Sequence, residues 1–310
     1  MRQFFLIAIF LCFSTKIFGQ VPSVENESPT TLIIQPKIGY SFSKTTFNIA
    51  GNERGTSPNI LSELIWDPTN QIDLGADIRL AHRSFYLRTS LSVNSTFMGN
   101  VADTDYDGDN RTLAYNQSHH SNHKGWGYSL RLQPGYFWVR NSTLSLATYL
   151  SVDYSMKQLY LLNDKNWTAS HPNYISNLNS YYKYRFPSYG LGINLSYNLS
   201  TQWTMEVDME GYRANYNAYG HWNLRDIFEQ PKSYEHQGIG TRLLSSLGLY
   251  YVLSTRTEVG LSYTFNHYSI QDGKDFAYTT TQGVLRTKLN DANESKHSFL
   301  LNLRYYLPLR

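Results

Sequence analysis

Apolar and polar side chains alternate with period 2 along almost all of this chain, and that period restricts what it can fold into. A strand sends successive side chains to opposite faces, so sustained alternation describes a sheet with one apolar and one polar face. The last segment shows it. Phe299, Leu301, Leu303, Tyr305 and Leu307 fall on one side; Ser298, Leu300, Asn302, Arg304 and Tyr306 fall on the other. Such stretches are separated in turn by short turns and long polar loops. That rhythm predicts an all-β fold, a transmembrane antiparallel β-barrel with its apolar face toward lipid. A soluble β-sandwich also alternates, but the regular exchange of short and long connections favours the barrel.

Composition and targeting agree. The 310 residues are 15% aromatic, with 26 Tyr, and only 16% charged, which suits aromatic girdles at two membrane interfaces. Arg2, the apolar run Phe4 to Phe13 and a small residue before Gln20 predict a signal peptide over 1–19 and a barrel over 20–310. The apolar run is too short to span a membrane as a helix. The single cysteine, Cys12, falls inside the signal, and Phe10 and Leu11 are not the small residues that precede a lipidated cysteine. A net charge of +3 is too weak to argue for nucleic acid. The expected surroundings are outer-membrane lipid and lipopolysaccharide, and the expected state is a monomer.

Turns near 82, 141, 200 and 254 divide the chain into about ten strands, with long loops expected near 51–59, 97–123, 160–180, 214–236 and 269–295. The short links should be periplasmic and the long loops extracellular. The strands exceed the ~9–11 residues needed to cross, so the barrel should project beyond the outer leaflet. Ile34, Pro36, Ile38, Tyr40 and Phe42 should face lipid, and Gln35, Lys37, Gly39, Ser41 and Ser43 the lumen. Glu206, Asp208 and Glu210 should point inward, as should Arg79, Arg88 and Arg131. Together they predict a small lumen plugged by ion pairs rather than a wide pore. Pro134, in mid-strand, predicts a bulge.

The densest acidic cluster is Asp103-Thr104-Asp105-Tyr106-Asp107-Gly108-Asp109. It reads as a calcium loop, as a solvated loop with no site, or as a catalytic carboxyl pair in which one group keeps its proton. Ala114 stands where an EF-hand needs its last acid, which excludes that motif. His120 and His123 are spaced to share a metal in a turn, with His119 beside them, but no carboxylate or cysteine stands at a matching distance. No metal and no cofactor is expected. Tyr181-Tyr182-Lys183-Tyr184-Arg185 joins aromatic and basic side chains near the outer rim.

The segment Gly99 to Tyr106 resembles the one that carries the paired aspartates of the omptins, ten-stranded outer-membrane endopeptidases. Ile38 to Lys44, Ser62 to Trp66 and Arg185 to Leu191 resemble that family's first, second and sixth strands, in order along the chain. The resemblance implies that Asp103 and Asp105 face an Asp-x-His pair on the loop after strand 7, and that the two pairs activate a water. The matching segment is Tyr219-Gly220-His221. His221 keeps its place as general base, while Tyr219 stands where the orienting acid belongs. Loss of an orienting acid costs a histidine-based site orders of magnitude in rate. Asp226 or Glu229 are the acids that could replace it. The family's acidic specificity pocket corresponds to Phe47 and Asn217, so cleavage between basic residues is not implied. The resemblance also places lipopolysaccharide phosphates against Lys183 and Arg185. Two functional readings follow. One is a surface-facing endopeptidase with Asp103 and Asp105 holding the water and His221 taking its proton. The other is a non-catalytic barrel for adhesion, structure or ligand capture.

Overall fold

A computed structural model describes residues 30–309. The expected signal peptide at 1–19, with Cys12, lies outside the described residues. Eleven strands follow in order: β1 (Thr30–Ile49), β2 (Ser62–His82), β3 (Phe85–Gly108), β4 (Thr112–Ser121), β5 (Trp126–Arg140), β6 (Leu144–Leu161), β7 (Ser180–Asn198), β8 (Trp203–His221), β9 (Tyr234–Ser254), β10 (Thr257–Thr279) and β11 (Gly283–Leu309). Each pairs antiparallel with its neighbour, and β11 closes on β1. β4 and β5 both pair with β3, one above the other, so eleven strands fill ten positions of the ring. No helix among the described residues is long and apolar enough to cross a membrane; any crossing falls to the strands.

The alternation sorts side chains as the pleat requires. Ile38, Ile72, Leu74, Leu91, Val93, Leu191, Leu261 and Leu301 are exposed on the outside. Aromatic girdles bound this belt. Phe85, Tyr136 and Trp138 pack together near the short turns, and Trp126, Tyr128 and Tyr154 near the long connections. Tyr128 and Trp138 are ten residues apart on β5. At ~3.4 Å per residue and ~40° of tilt that is about 26 Å along the barrel axis, close to the ~25 Å apolar band of such barrels.

Three expectations are corrected. The polar stretch at 97–123 is not a loop: β3 continues to Gly108, turns through Asp109–Arg111 and returns as β4. Beyond the belt both faces of a hairpin meet polar surroundings, so the alternation fades while the main chain still pairs. The ends of β8, β10 and β11 outrun their expected bounds for the same reason. Pro134 carries no bulge. It stays in register opposite Leu87, the β6 ladder skips Gln133 and Pro134, and it resumes at Gly135–Tyr149 with the same offset. The irregularity lies at Phe137 and Val139 instead. One missing N–H costs one ladder bond and needs no extra residue.

Glycines on the inner wall seat tyrosine rings. A Cβ on Gly135 would stand 2.3 Å from the ring of Tyr86 on β3, and one on Gly192 2.3 Å from the ring of Tyr149 on β6. Each ring lies flat across the neighbouring strand and fills the notch.

The lumen has two levels. Below, within the belt, the expected ion pairs form. Arg88 meets Asp208 through two hydrogen bonds of 3.0 Å, Arg131 donates to Glu210 at 2.6 Å, and Arg79 reaches Glu206 at 3.3 Å. Arg304 also bonds Glu206, and Lys37 binds Asp77 at 2.7 Å. A cavity of about 180 Å³, lined by Lys37, Asp73, Arg131, Lys157, Arg242 and Lys296, separates this layer from the next. Above it sits an apolar core that the alternation did not announce. Phe47, Leu64, Trp66, Val101, Leu159, Tyr182, Tyr184, Phe186, Tyr216, Tyr234, Tyr268 and Ile270 are all buried there. A wall standing clear of lipid needs an interior core to hold it, as in any water-soluble barrel.

Candidate functional site at the barrel mouth

The paired aspartates sit in the wall of β3, at the end of the barrel that carries the long hairpins. Below Phe97, even-numbered residues of β3 such as Arg88 and Ser90 face inward. A register shift between Asn70 and Gln71 of β2 leaves one extra residue on β3, after which odd residues face inward. Val101, Asp103 and Asp105 therefore share the inner face. Asp107, farther along the same parity near the hairpin tip, is exposed, and the Asp109 carboxylate accepts from the Asn59 N–H at 2.7 Å. Asp107 and Asp109 thus do not join Asp103 and Asp105 in wrapping one cation as a calcium loop does.

Asp103 is only 7% exposed, and its Oδ1 has no hydrogen-bond partner. Burial and the neighbouring Asp105 carboxylate push its pKa up to about 7, against the pull of Arg225 in the 222–233 loop. Asp105 is half-buried and accepts from Asn116 Nδ2 on β4 at 2.8 Å. The pair can thus keep a proton near neutrality, as a hydrolytic carboxyl pair must.

His221 lies elsewhere. β8 pairs with β7 and β9 without a single register shift, so its parity is constant from end to end. Glu206, Asp208, Glu210, Tyr212 and Tyr216 are inside; Met209, on the opposite parity, is 49% exposed among the lipid-facing residues. His221 shares the parity of Met209 and is on the outer face. Its ring packs on Tyr181, with centroids 4.9 Å apart, and its Nδ1–H donates to the Pro231 carbonyl at 2.9 Å. Tyr219 and Asn217 share that outer face, while Phe47 is buried inside against His236 and Tyr182. The structure brings Asp103 and Asp105 together but does not bring His221 to them, and Phe47 and Asn217 do not share a pocket. Asp226 and Glu229 are exposed on the 222–233 loop, where Glu229 is tied through its N–H to the Tyr278 carbonyl.

The imidazole that the fold does place on the face of Asp103 is His120. Ser118 stands opposite Asp103 in the β3–β4 ladder and His120 opposite Val101. His120 Nε2 and Ser118 Oγ are 2.9 Å apart, and His120 Nδ1 is buried without a partner. Burial and the neighbouring His119 hold its pKa below the usual imidazole value. His119 points out, and His123 bonds Ser121 Oγ at 2.8 Å, so the three histidines diverge. Among the described residues no three His, Cys, Asp or Glu side chains converge on one point.

Across the mouth, sequence reasoning also missed a buried polar chain. Tyr182 Oη lies 2.5 Å from Tyr216 Oη and 2.7 Å from His236 Nδ1, and His236 Nε2 is 3.1 Å from Asp275. Phe47, Tyr182 and Tyr234 enclose His236 completely, which makes it a core histidine. The signal that could have found it is the shared parity of Tyr234 and His236 with Arg242 on β9.

Superposition on one solved structure supports the fold. The outer membrane protease OmpT from Escherichia coli superposes with a TM-score of 0.71 at 13% identity, covering 92% of this chain and 99% of that one. OprG from Pseudomonas aeruginosa reaches 0.40 at 11% identity, with 92% and 99% covered. The translocator domain of the autotransporter NalP from Neisseria meningitidis reaches 0.38 at 11% identity, with 91% and 90% covered. At 13% identity the OmpT superposition speaks for the fold alone. No curated protein sequence matches the chain. The family model of the Protochlamydia outer membrane proteins matches residues 37–307, so the chain belongs to that family and is an outer-membrane β-barrel protein.

Proposed function

We propose that the protein is a non-catalytic outer-membrane barrel that holds a rigid set of β-hairpins outside the cell as a surface for ligand capture. The observation that carries this is the constant parity of β8, which puts His221 on the outer face while Asp103 and Asp105 face in. A water held by the aspartates has no base at His221 to take its proton. The filled lumen agrees, with ion pairs low and aromatic packing high. In this reading the chain is exported by residues 1–19, its short turns lie in the periplasm, it stands as a monomer, and its outer rim meets lipopolysaccharide.

The test offers a diverse peptide library to the barrel refolded with lipopolysaccharide, alongside Asp103→Ala and His221→Ala variants. Mass spectrometry should find no cleavage with any of the three. Cleavage by the wild type that either variant loses would overturn the reading.

A second reading keeps a peptidase but reassigns its base to His120, favoured by its unpartnered Nδ1 on the face of Asp103. Hydrolysis lost in His120→Gln and kept in His221→Ala is its signature.

A further inference from the structure

The ring is open beside β4. Below, the Ser121 N–H donates to the Leu162 carbonyl at 2.8 Å and the Leu162 N–H returns to the Ser121 carbonyl at 2.9 Å. That pair is the last contact of β4 with the next ring position, because the chain leaves the wall after Leu162 and rejoins it at Ser180. Main-chain groups alternate sides along a strand. Ser121 turns its N–H and C=O away from β3, so His119 and Gln117 do the same. Both residues are exposed, and among the described residues nothing pairs with their main-chain groups. Natural sheets blunt such edges with lysine, proline or inward charge. Thr112–Ser121 contains no charged residue of fixed sign and no proline.

We infer that this edge takes an extended polypeptide segment as an added strand, its inward side chains donating hydrogen bonds toward Asp103 and Asp105. This deepens the ligand-capturing reading and rests on it. Main-chain bonds to Gln117 and His119 supply affinity, and the inner face supplies selectivity. That face presents acceptors. Ser118 and Asn116 line β4, and behind them stand the Asp105 carboxylate and the buried Asp103 Oδ1 that has no partner. Strands lie ~4.8 Å apart, so the added backbone stands about 10 Å from β3, within reach of a long donor side chain. Lysine, arginine and glutamine are complementary there; aspartate and glutamate are not.

A second copy in the same membrane is a poor occupant. Two barrels with a common orientation are related by an axis along the membrane normal, so facing β4 strands, each tilted by ~40°, cross at about 80° and cannot pair along their length.

The probes are fluorescein-labelled octapeptides of alternating valine and X, with X lysine, glutamine, leucine or aspartate. A second set carries N-methyl groups on alternate amides. Binding to the folded barrel in detergent is read by fluorescence anisotropy, and the peptides are checked by mass spectrometry. The Gln117→Pro and His119→Pro substitutions remove only N–H groups that point away from β3, so the β3–β4 ladder remains. The expected order is lysine and glutamine above leucine, with aspartate weakest. Either proline variant should weaken binding at least tenfold, and N-methylation should abolish binding to the wild type with no change to the protein. No binding by any peptide, or binding unaffected by N-methylation and by both prolines, overturns the added strand. Cleavage of a bound peptide overturns the non-catalytic reading instead and leaves the pairing standing.

Discussion

Arg88 grips Asp208 with both terminal nitrogens, each at 3.0 Å, while its Nε donates to Gln133 at 2.6 Å. Asp208 in turn accepts from Tyr149 at 2.6 Å and from Asn194 at 2.8 Å. One guanidinium thus ties β3, β5, β6, β7 and β8 together across the lumen.

Removing it strands a buried carboxylate. Arg88→Ala should destabilise the barrel by roughly 3–5 kcal/mol, read as a lower temperature for the folded-to-unfolded shift on gels. Arg88→Leu combined with Asp208→Leu should cost less than Arg88→Ala alone, because no lone charge remains.

Gly135 leaves no room for a methyl group. Gly135→Ala should destabilise by about 1–3 kcal/mol, since the Cβ would collide with the Tyr86 ring. Pairing it with Tyr86→Ala should relieve the clash, so the double variant should lose less than the two single losses added. Refolding yields of the four proteins test this. Gly211, with nothing within 4 Å of a built Cβ, is the control.

Asp103 should penalise folding as pH rises. Its folded pKa of about 7 lies above the ordinary carboxylate value, so the folded state keeps a proton that the unfolded chain releases near pH 4. Stability contributed by this group is full below about pH 4, falls between about pH 4 and 7, and stays reduced above. Asp103→Asn removes that dependence. Its thermal midpoint should exceed that of the wild type at pH 8, by an amount equivalent to a few kcal/mol, with the gap closing toward pH 4.

Lys183 and Arg185 share the outer face of β7, the Lys183 ammonium standing 6.0 Å from the Trp126 indole ring. Lys183→Ala with Arg185→Ala should lower thermal stability in lipopolysaccharide-containing micelles and leave it unchanged in zwitterionic lipid. Equal loss in both lipids would remove lipopolysaccharide as the partner of this rim.

What the sequence made legible follows from how far the alternation reaches. Inside the belt, lipid on one side and a polar lumen on the other keep the period strict, so the sequence places Arg79, Arg88 and Arg131 in one lumen with Glu206, Asp208 and Glu210, though not which pairs with which. Beyond the belt the period decays. Asp103 and Asp105 are legible there as the densest acidic cluster and through the resemblance carried by Gly99 to Tyr106, not through the alternation. Which face was not legible: the shift at Asn70 and Gln71 reverses the parity of β3, and a bulge leaves no mark in composition. His221 shows the opposite case. Its position near the end of a strand suggested the mouth, and counting down β8 to Met209 places it on the other side of the wall. His120 was noticed only as a metal candidate, since its neighbour in space, Asp103, is reached through a hairpin that read as a loop.

The aromatic core around Phe47, Trp66 and Tyr182 holds the wall in register almost to its rim. The turns beyond it, at 109–111 and 280–282, stand on that platform and are pinned to neighbouring elements, Asn110 to Asn59, Arg111 to Glu63 and Thr280 to the Ile227 carbonyl. Exchange of a rim side chain that makes none of these bonds therefore stays local, so such positions can vary at a pace that the pinned residues and the barrel beneath them cannot match.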